Sequence, residues 1–302
     1  MLKWITSGLL YLIGCVSLSA LAQSLPEYSM RGAERANDLK LPTEVSNIAG
    51  ASEPRMALYK PEGIGPFPAL VLLHQCGGLV FRSGRPNASM FEWAREGIAR
   101  GYVVLLLDSF GQRGVDTVCL GPQGDVFPSR GVRDALQAAA HLRALPYVDK
   151  RRVAFAGYSW GGGVGLLLSS AEAARAVRIS DRFDAAVSFY PPCRSYPKVG
   201  DPYSWVLSGI DRPLLVLLGG KDNETPPEEC VGGLRPHKAK GAPIEWHLYA
   251  EATHCWDCKQ SHGLKRVDIR GSRIEYLYDE AVTKDSALRM FSFFEKAFGQ
   301  RP

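Results

Sequence analysis

Basic side chains are nowhere concentrated in this sequence. The 302 residues carry 36 Lys and Arg against 31 Asp and Glu, a formal net charge of +5. The basic residues fall in short clusters such as Arg151–Arg152 and Lys265–Arg266, whereas a nucleic-acid-binding protein concentrates them in one stripe. Internal repeats and low-complexity segments are also absent. We therefore expect a globular protein that does not bind nucleic acid, with 46% hydrophobic residues to build its core.

Long apolar runs are equally scarce, and the one that exists lies at the start. No charged residue occurs from Trp4 to Ala22, and the run ends in Ala20-Leu21-Ala22, a small-x-small pattern that signal peptidase cleaves. Several Gly, Ser and Thr residues dilute it, which argues against a membrane anchor. We expect residues 1–22 to be a signal peptide and the mature chain to be periplasmic or secreted, without stable membrane insertion. The alternative is a lipoprotein cleavage box at Leu12–Cys15, with lipid on Cys15.

The cysteine count agrees with export. Seven cysteines less Cys15 leave an even number, which suits disulfides in an oxidising compartment. The six are Cys76, Cys119, Cys193, Cys230, Cys255 and Cys258. Their connectivity cannot be deduced from spacing, although Cys76 with Cys119 and Cys193 with Cys230 would each brace loops at one edge of the sheet described next.

Apolar strands and amphipathic helices alternate along the rest of the chain. Such alternation predicts a mostly parallel, doubly wound α/β sheet flanked by helices, in a single domain over residues 51–302 preceded by an arm at 23–50. The predicted strands are Ala69–Leu73, Val103–Leu107, Val153–Ala156, Ala185–Phe189, Leu214–Leu218 and Ile244–Leu248. The predicted helices are Met90–Arg100, Val132–Leu145, Trp160–Ala174 and Asp285–Phe298. The last of these helices has an apolar face formed by Leu288, Phe291, Phe294 and Phe298. Ligands of such sheets bind at the carboxyl ends of the strands.

One motif at such a strand end predicts a nucleophile. The strand ending at Ala156 runs into Gly157-Tyr158-Ser159-Trp160-Gly161, which opens a helix. This G-x-S-x-G sequence forms a turn so tight that its outer positions have little room for a Cβ, and it raises the serine hydroxyl above the sheet. We therefore predict Ser159 as the nucleophile.

A serine hydroxyl needs a base and a carboxylate that orients the base, in the chain order Ser, acid, His. His254 follows the last predicted strand and is the predicted base, with His262 as fallback, since His247 lies within a strand and His237 in a Pro/Lys/Gly loop. The acid is predicted after the strand at 214–218, where Asp222 is preferred over its rival Glu224.

The oxyanion hole is expected in the glycine-rich turn after the strand at 69–73. Its predicted donors are the backbone N–H groups of Cys76 and of Trp160, the residue after the nucleophile.

Four blocks together resemble the dienelactone hydrolase family of α/β-hydrolases over roughly residues 55–298. They are Leu72-Leu73-His74-Gln75-Cys76-Gly77-Gly78, Asp108-Ser109-Phe110-Gly111-Gln112-Arg113-Gly114, Gly157-Tyr158-Ser159-Trp160-Gly161-Gly162, and the Asp222 and His254 loops. The resemblance implies an α/β-hydrolase fold and the hydrolysis of small esters or lactones without a cofactor. The chain departs from the name-giving enzymes in carrying Ser159 in place of a cysteine nucleophile, and Gln75 in place of a glutamate.

The sequence leaves the role of three further features open. Gln75 and Arg113 are candidates for substrate binding, with a structural salt bridge as the preferred role of Arg113. Cys255 and Cys258 form a C-x-x-C that zinc could use together with His262, but export favours a disulfide, and we expect no metal. The segment between Asp257 and Asp279 predicts a hairpin over 267–276, either part of a lid or a plain surface feature.

These features favour an exported serine hydrolase that cleaves a carboxylic ester or lactone through an acyl-enzyme. An acyltransferase or a small peptidase would use the same three side chains, and a non-catalytic binding protein can be built on the same fold. The substrate and the oligomeric state are left open by the sequence.

Overall fold

A seven-stranded sheet forms the centre of the protein, whose structure is a computed structural model that describes residues 30–48, 55–196, 202–268 and 270–299. The strands of this sheet are β1 (Ala57–Tyr59), β2 (Phe67–Leu73), β3 (Val103–Leu107), β4 (Val148–Tyr158), β5 (Ala185–Phe189), β8 (Leu214–Gly219) and β9 (Ile244–Tyr249). Two small antiparallel pairs lie outside it, β6 (Arg194–Ser195) with β7 (Tyr203–Ser204) and β10 (Lys265–Val267) with β11 (Arg273–Glu275).

The strand order is β1-β3-β2-β4-β5-β8-β9, and all neighbours are parallel except β1 with β3. The predicted doubly wound α/β architecture is thereby confirmed. Side chains of β2 alternate between two cores, with Val71 and Leu73 in one and Leu70 and Leu72 in the other. Both faces are buried, which is why these strands read as continuous apolar runs.

Helices cover both faces of the sheet. They are α1 (Ala88–Ala99), α2 (Pro128–Ala144), α3 (Trp160–Leu168), α4 (Ala171–Val177), α5 (Pro227–Ala239) and α6 (Glu280–Gly299). Apolar residues of α1 and α6 join one core, and those of α2 to α5 join the other. The carboxyl ends of β2, β4, β5, β8 and β9 consequently open at one edge, where the loops that follow them meet.

Several elements differ from the sequence expectation. The helix expected over 160–174 is two helices, because Ser170 caps α4 by accepting the N–H of Glu172. His237 lies in the last turn of α5, so its placement in a loop was wrong; the helix was missed because it contains Pro236. Leu288 was expected on the buried face of the last helix and is 53% exposed.

The described part of the arm, residues 30–48, packs along α2. Met30 and Leu39 are buried in the core on that face of the sheet. The backbone carbonyls of Leu39 and Pro42 contact the side chains of Gln137 and His141 on the helix. Residues 30–48 of the arm are therefore part of the packed structure. The predicted signal segment at 1–22 and Cys15 lie outside the described residues.

All six remaining cysteines are paired: Cys76–Cys119, Cys193–Cys230 and Cys255–Cys258. The two long-range pairings weighed above and the C-x-x-C disulfide are thus present. Within the described ranges, no helix has both the length and the apolar character needed to cross a membrane.

Candidate active site

Ser159 lies on a strained turn between β4 and α3. Its φ is +50°, a conformation that residues with side chains rarely adopt. The flanking glycines permit the turn, because a Cβ on Gly157 would overlap the carbonyl oxygen of Gly161, and a Cβ on Gly161 would overlap that of Leu73. The predicted elbow between a strand and a helix is therefore present, and Ser159 stands at the helix N-terminus.

The three side chains predicted for the triad meet at the carboxyl edge of the sheet. His254 Nε2 lies 3.0 Å from Ser159 Oγ, and His254 Nδ1 lies 2.7 Å from Asp222 Oδ2. All three residues are buried. His254 is 95 residues from Ser159 and 32 residues from Asp222 in the sequence. The three side chains meet because each residue follows a different parallel strand of the sheet.

Asp222 is held by the loop that follows it. The backbone N–H groups of Glu224 and Thr225 donate to Asp222 Oδ1 at 3.0 and 2.8 Å. The Thr225 hydroxyl donates to Oδ2 at 2.7 Å. These donors fix the orientation of the carboxylate and the oxygen that faces His254.

Two opposing influences act on His254. Burial lowers the pKa of the imidazole, whereas the negative charges of Asp222 and Glu224 raise it, and the net pKa lies above its ordinary value of 6.5. The site therefore favours the protonated ring. This suits a general base, which must accept a proton during the reaction.

Glu224, the rival acid, also approaches His254 but at the other nitrogen. Its Oε2 is 3.8 Å from His254 Nε2. The carboxylate is fixed by Arg266, which pairs with Oε1, and by the Tyr276 hydroxyl, which donates to Oε2 at 2.7 Å. The geometry thus assigns the two acids to opposite ends of the ring, with Asp222 at Nδ1.

The turn expected to supply oxyanion donors borders a cleft of about 400 Å³ that also contains Ser159. Cys76 and Trp160 both line this cleft. The turn is braced by the Cys76–Cys119 disulfide and by the N–H of Val118, which donates to the carbonyl of Cys76 at 2.9 Å. Both predicted donor residues therefore line the same cleft as the serine.

Gln75 points into a buried polar network beneath the site. Its Oε1 accepts from Asn87 Nδ2 at 2.7 Å, and its Nε2 lies 3.3 Å from the Tyr190 hydroxyl. That hydroxyl donates to Asp257 at 2.6 Å, and the Tyr190 ring packs edge-on against His254 at 4.7 Å. The described lining of the cleft does not include Gln75, so its contacts are those of a support for the loops and not of a substrate ligand.

The sequence did not indicate that three residues belong to this support, namely Asn87, Tyr190 and Asp257. Asp257 is buried, which raises the pKa of its carboxyl, and it accepts from Trp93 Nε1 at 2.7 Å. A buried acidic residue inside a C-x-x-C carries no distinctive sequence pattern.

Arg113 forms the structural salt bridge that was the preferred alternative. Its guanidinium donates to both oxygens of Asp134 at 2.7 and 2.8 Å, and it also pairs with Asp38 of the arm. The Asp134 side chain is 1% exposed and that of Arg113 9%. The guanidinium is committed to this cluster and is not among the described residues lining the cleft. Its candidacy for substrate binding is therefore not supported.

The sulfur atoms of Cys255 and Cys258 lie with a carboxylate oxygen of Asp257 within 4.8 Å of one another, but the sulfurs are joined in a disulfide. Thiolates for zinc are thus unavailable while the bond is intact. His262, the fallback base and possible ligand, is exposed, and its Nδ1 accepts the N–H of Tyr278 at 3.0 Å.

A mostly parallel sheet with a nucleophile elbow after one of its central strands defines an α/β-hydrolase. The sequence profile of the dienelactone hydrolase family matches residues 55–298. The chain therefore belongs to the dienelactone hydrolase family, and it is a hydrolase that acts on ester bonds.

Similar proteins are only distantly related in sequence. The "Putative carboxymethylenebutenolidase" of Escherichia coli (strain K12) is 22% identical over 246 residues, 78% of this chain and 80% of that protein. The crystal structure of the "Putative Dienelactone Hydrolase from Klebsiella pneumoniae subsp. pneumoniae MGH 78578" has a TM-score of 0.58 at 19% identity, covering 78% and 89% of the two chains. Thermogutta terrifontis esterase 2 phosphoramylated by tabun gives a TM-score of 0.52 at 18% identity, covering 78% and 86%. At these identities the structural likeness establishes the fold.

Proposed function

We propose that the protein is a serine hydrolase that cleaves a carboxylic ester or lactone through an acyl-enzyme. The observation that carries the proposal is the position of the His254 ring, between Asp222 at 2.7 Å and Ser159 at 3.0 Å. In this reading Ser159 is the nucleophile and His254 the general base. Asp222 accepts the Nδ1–H of the ring and so holds the tautomer whose Nε2 is free to take a proton.

In the acylation step, Ser159 Oγ attacks the substrate carbonyl carbon as its proton passes to His254 Nε2. The backbone N–H groups of Cys76 and Trp160 are the proposed donors to the resulting oxyanion, each contributing about 3 kcal/mol of transition-state stabilisation. The carbon–oxygen bond to the leaving group then breaks, and the leaving oxygen takes the proton from Nε2. In a lactone, that oxygen stays attached to the acyl group.

In the deacylation step, water attacks the acyl carbon and gives a proton to His254 Nε2. The tetrahedral intermediate collapses, the bond to Ser159 Oγ breaks, and Oγ recovers the proton. Apart from the substrate and the attacking water, every group in these transfers belongs to the chain itself.

The substrate class is supported by family membership and by two similar proteins, one named "Putative carboxymethylenebutenolidase" and one an esterase phosphoramylated by tabun. A cleft of about 400 Å³ fits a small molecule. An acyltransferase or a small peptidase would share the triad, and only substrate tests separate these activities.

The test is labelling with a fluorophosphonate probe followed by assays on a panel of esters, lactones and peptides. We expect Ser159→Ala to abolish both labelling and ester cleavage, and Ser83→Ala, at an exposed turn position, to leave both unchanged. Labelling of the Ser159→Ala variant, or none in the unaltered protein, would contradict the proposal.

We further propose that residues 1–22 are removed on export and that residues 23–50 form an arm on a hydrolase domain spanning 51–302. The three disulfides suit an oxidising compartment. Mass spectrometry of the protein recovered after expression with its full sequence tests this. A mature chain starting at Gln23 is expected. A lipid-modified Cys15, absent in Cys15→Ser, would contradict it.

A further inference from the structure

A second carboxylate faces the nitrogen of His254 through which the reaction runs. Glu224 Oε2 is 3.8 Å from Nε2, and Glu224 lines the same cleft as Ser159. Its side chain is 14% exposed, so it reaches the space beside the serine while shielded from bulk water. The triad as proposed above leaves this carboxylate without a role.

The β10–β11 hairpin holds Glu224 in that place. Arg266 of β10 pairs with Oε1, and Tyr276, the residue after β11, donates to Oε2 at 2.7 Å. Arg270 at the hairpin turn donates to the backbone carbonyls of Asn223 and Glu224. The hairpin therefore fixes both the rotamer of the Glu224 side chain and the position of its loop. A group that orients a reactant has to be held in this way.

The separation of 3.8 Å between Glu224 Oε2 and His254 Nε2 is short enough for one water beside them to hydrogen-bond to both atoms. In deacylation the attacking water must lie within hydrogen-bond distance of Nε2. A water with hydrogen bonds of about 2.8 Å to both Nε2 and Oε2, which are 3.8 Å apart, would form an angle of about 85° between them. This angle is narrower than that between the two O–H bonds of water, so each hydrogen bond bends slightly from linear and stays within the favourable range. Oε2 retains acceptor capacity beside its bond to Tyr276, since a carboxylate accepts about four hydrogen bonds.

We propose that Glu224 is a water-positioning residue that orients the hydrolytic water in deacylation. This inference rests on the acyl-enzyme mechanism proposed above. One O–H of the water donates to His254 Nε2 and is the bond that breaks as the water oxygen attacks the acyl carbon. The other O–H donates to Glu224 Oε2 and stays intact, becoming the hydroxyl of the carboxylic acid product. Glu224 begins and ends the step as a carboxylate.

Methanol provides a probe specific to this role, because it has a single O–H. As an attacking nucleophile it can donate to His254 Nε2 but has no second proton for Glu224. The ratio of methanolysis to hydrolysis of the same acyl-enzyme therefore reports on the second hydrogen bond. Damage to the triad would slow both reactions together and leave the ratio unchanged.

The experiment compares Glu224→Gln with the unaltered protein during turnover of a p-nitrophenyl ester with and without methanol. The neutral amide loses the charge-assisted hydrogen bond. We expect hydrolysis of the acyl-enzyme to fall roughly tenfold, with the acylation burst and methanolysis changed by less than about twofold, so that the partition ratio rises at least about fivefold. Glu229→Gln is the matched control, since Glu229 pairs with Arg270 of the same hairpin and is not among the described residues of the cleft.

Three results would overturn the proposal: an unchanged partition ratio, an equal loss of burst and hydrolysis rates, or an equal rise of the ratio in Glu229→Gln. Failure of the underlying mechanism is recognised separately. In that case the unaltered protein shows no burst, and a fluorophosphonate does not label Ser159, which also removes the basis for the role of Glu224.

Discussion

The carboxylate of Glu224 and the imidazole of His254 approach within 3.8 Å, Oε2 to Nε2, while Asp222 contacts the opposite nitrogen of the ring. His254 is thus placed between two acids. Each favours the protonated ring, and together they outweigh the burial that disfavours it, so the pKa of His254 lies above its ordinary value of 6.5. The raised pKa of His254 determines the pH dependence expected of the proposed reaction.

As a general base His254 must be neutral, so kcat/KM is expected to fall as the pH drops through the pKa of the ring. Because that pKa is raised, the midpoint of the acidic limb should lie above pH 6.5. Glu224→Gln removes one of the charges that raise the pKa, and the midpoint should then move to lower pH. A pH–rate profile of both proteins measures this. A midpoint that stays fixed or moves upward in the variant would be inconsistent with the site's electrostatics.

Asp222→Asn should reduce kcat by roughly 10³- to 10⁴-fold, because an amide no longer selects the tautomer with a free Nε2. The matched control is Asp211→Asn. Asp211 precedes β8, at the end opposite Asp222, and pairs with Arg182 on the surface. It should retain nearly full kcat. Similar losses in both variants would show that the assigned acid is wrong.

Removing the Cys76–Cys119 disulfide should affect stability and catalysis together. Its sequence separation of 43 residues predicts a loss of about 2–4 kcal/mol in the free energy of unfolding for Cys76→Ser/Cys119→Ser. Because the N–H of Cys76 is a proposed oxyanion donor, kcat should also fall about tenfold. The comparison is Cys193→Ser/Cys230→Ser, with a separation of 37 residues, which should lose similar stability and less kcat. Denaturant titration and steady-state kinetics measure the two effects, and equal kcat losses would argue against the assigned donor.

Arg113→Ala should destabilise the fold by about 3–5 kcal/mol, because it leaves Asp134 buried without its cation. Asp38→Asn, at the 47% exposed partner, should cost less than about 1 kcal/mol. Urea unfolding of both variants checks the difference. A rise in KM for anionic esters alone, with stability intact, would instead indicate a substrate-binding role for Arg113.

The sequence predicted the sheet well because its strands carry a strong local signal. The runs at Val103–Leu107 and Ala185–Phe189 are observed with the expected bounds, and the others differ by a few residues at their ends. The short hairpin predicted over 267–276 is observed as the antiparallel pair β10 and β11, but other short or interrupted elements were missed. The strand β1 has only three residues, and α5 contains Pro236, which normally argues against a helix.

Site geometry could be predicted only where a motif implies a position in the fold. The elbow places Ser159 after a strand, and the loops after two further strands place Asp222 and His254 at the same edge. The position of Glu224 had no such signal, because it depends on Arg266 and Tyr276, which are 42 and 52 residues away in the chain. The same holds for the contact between Arg113 and Asp134, which joins a loop to the middle of α2.

The acyl-enzyme is tested most directly by the mass of the protein quenched in acid during turnover of p-nitrophenyl acetate. Acyl transfer to Ser159 predicts a species heavier by one acetyl group, with the group located by peptide mapping on Ser159 and absent in Ser159→Ala. Ester cleavage at full rate without that adduct under rapid quenching, or an acetyl group on another residue, would contradict it.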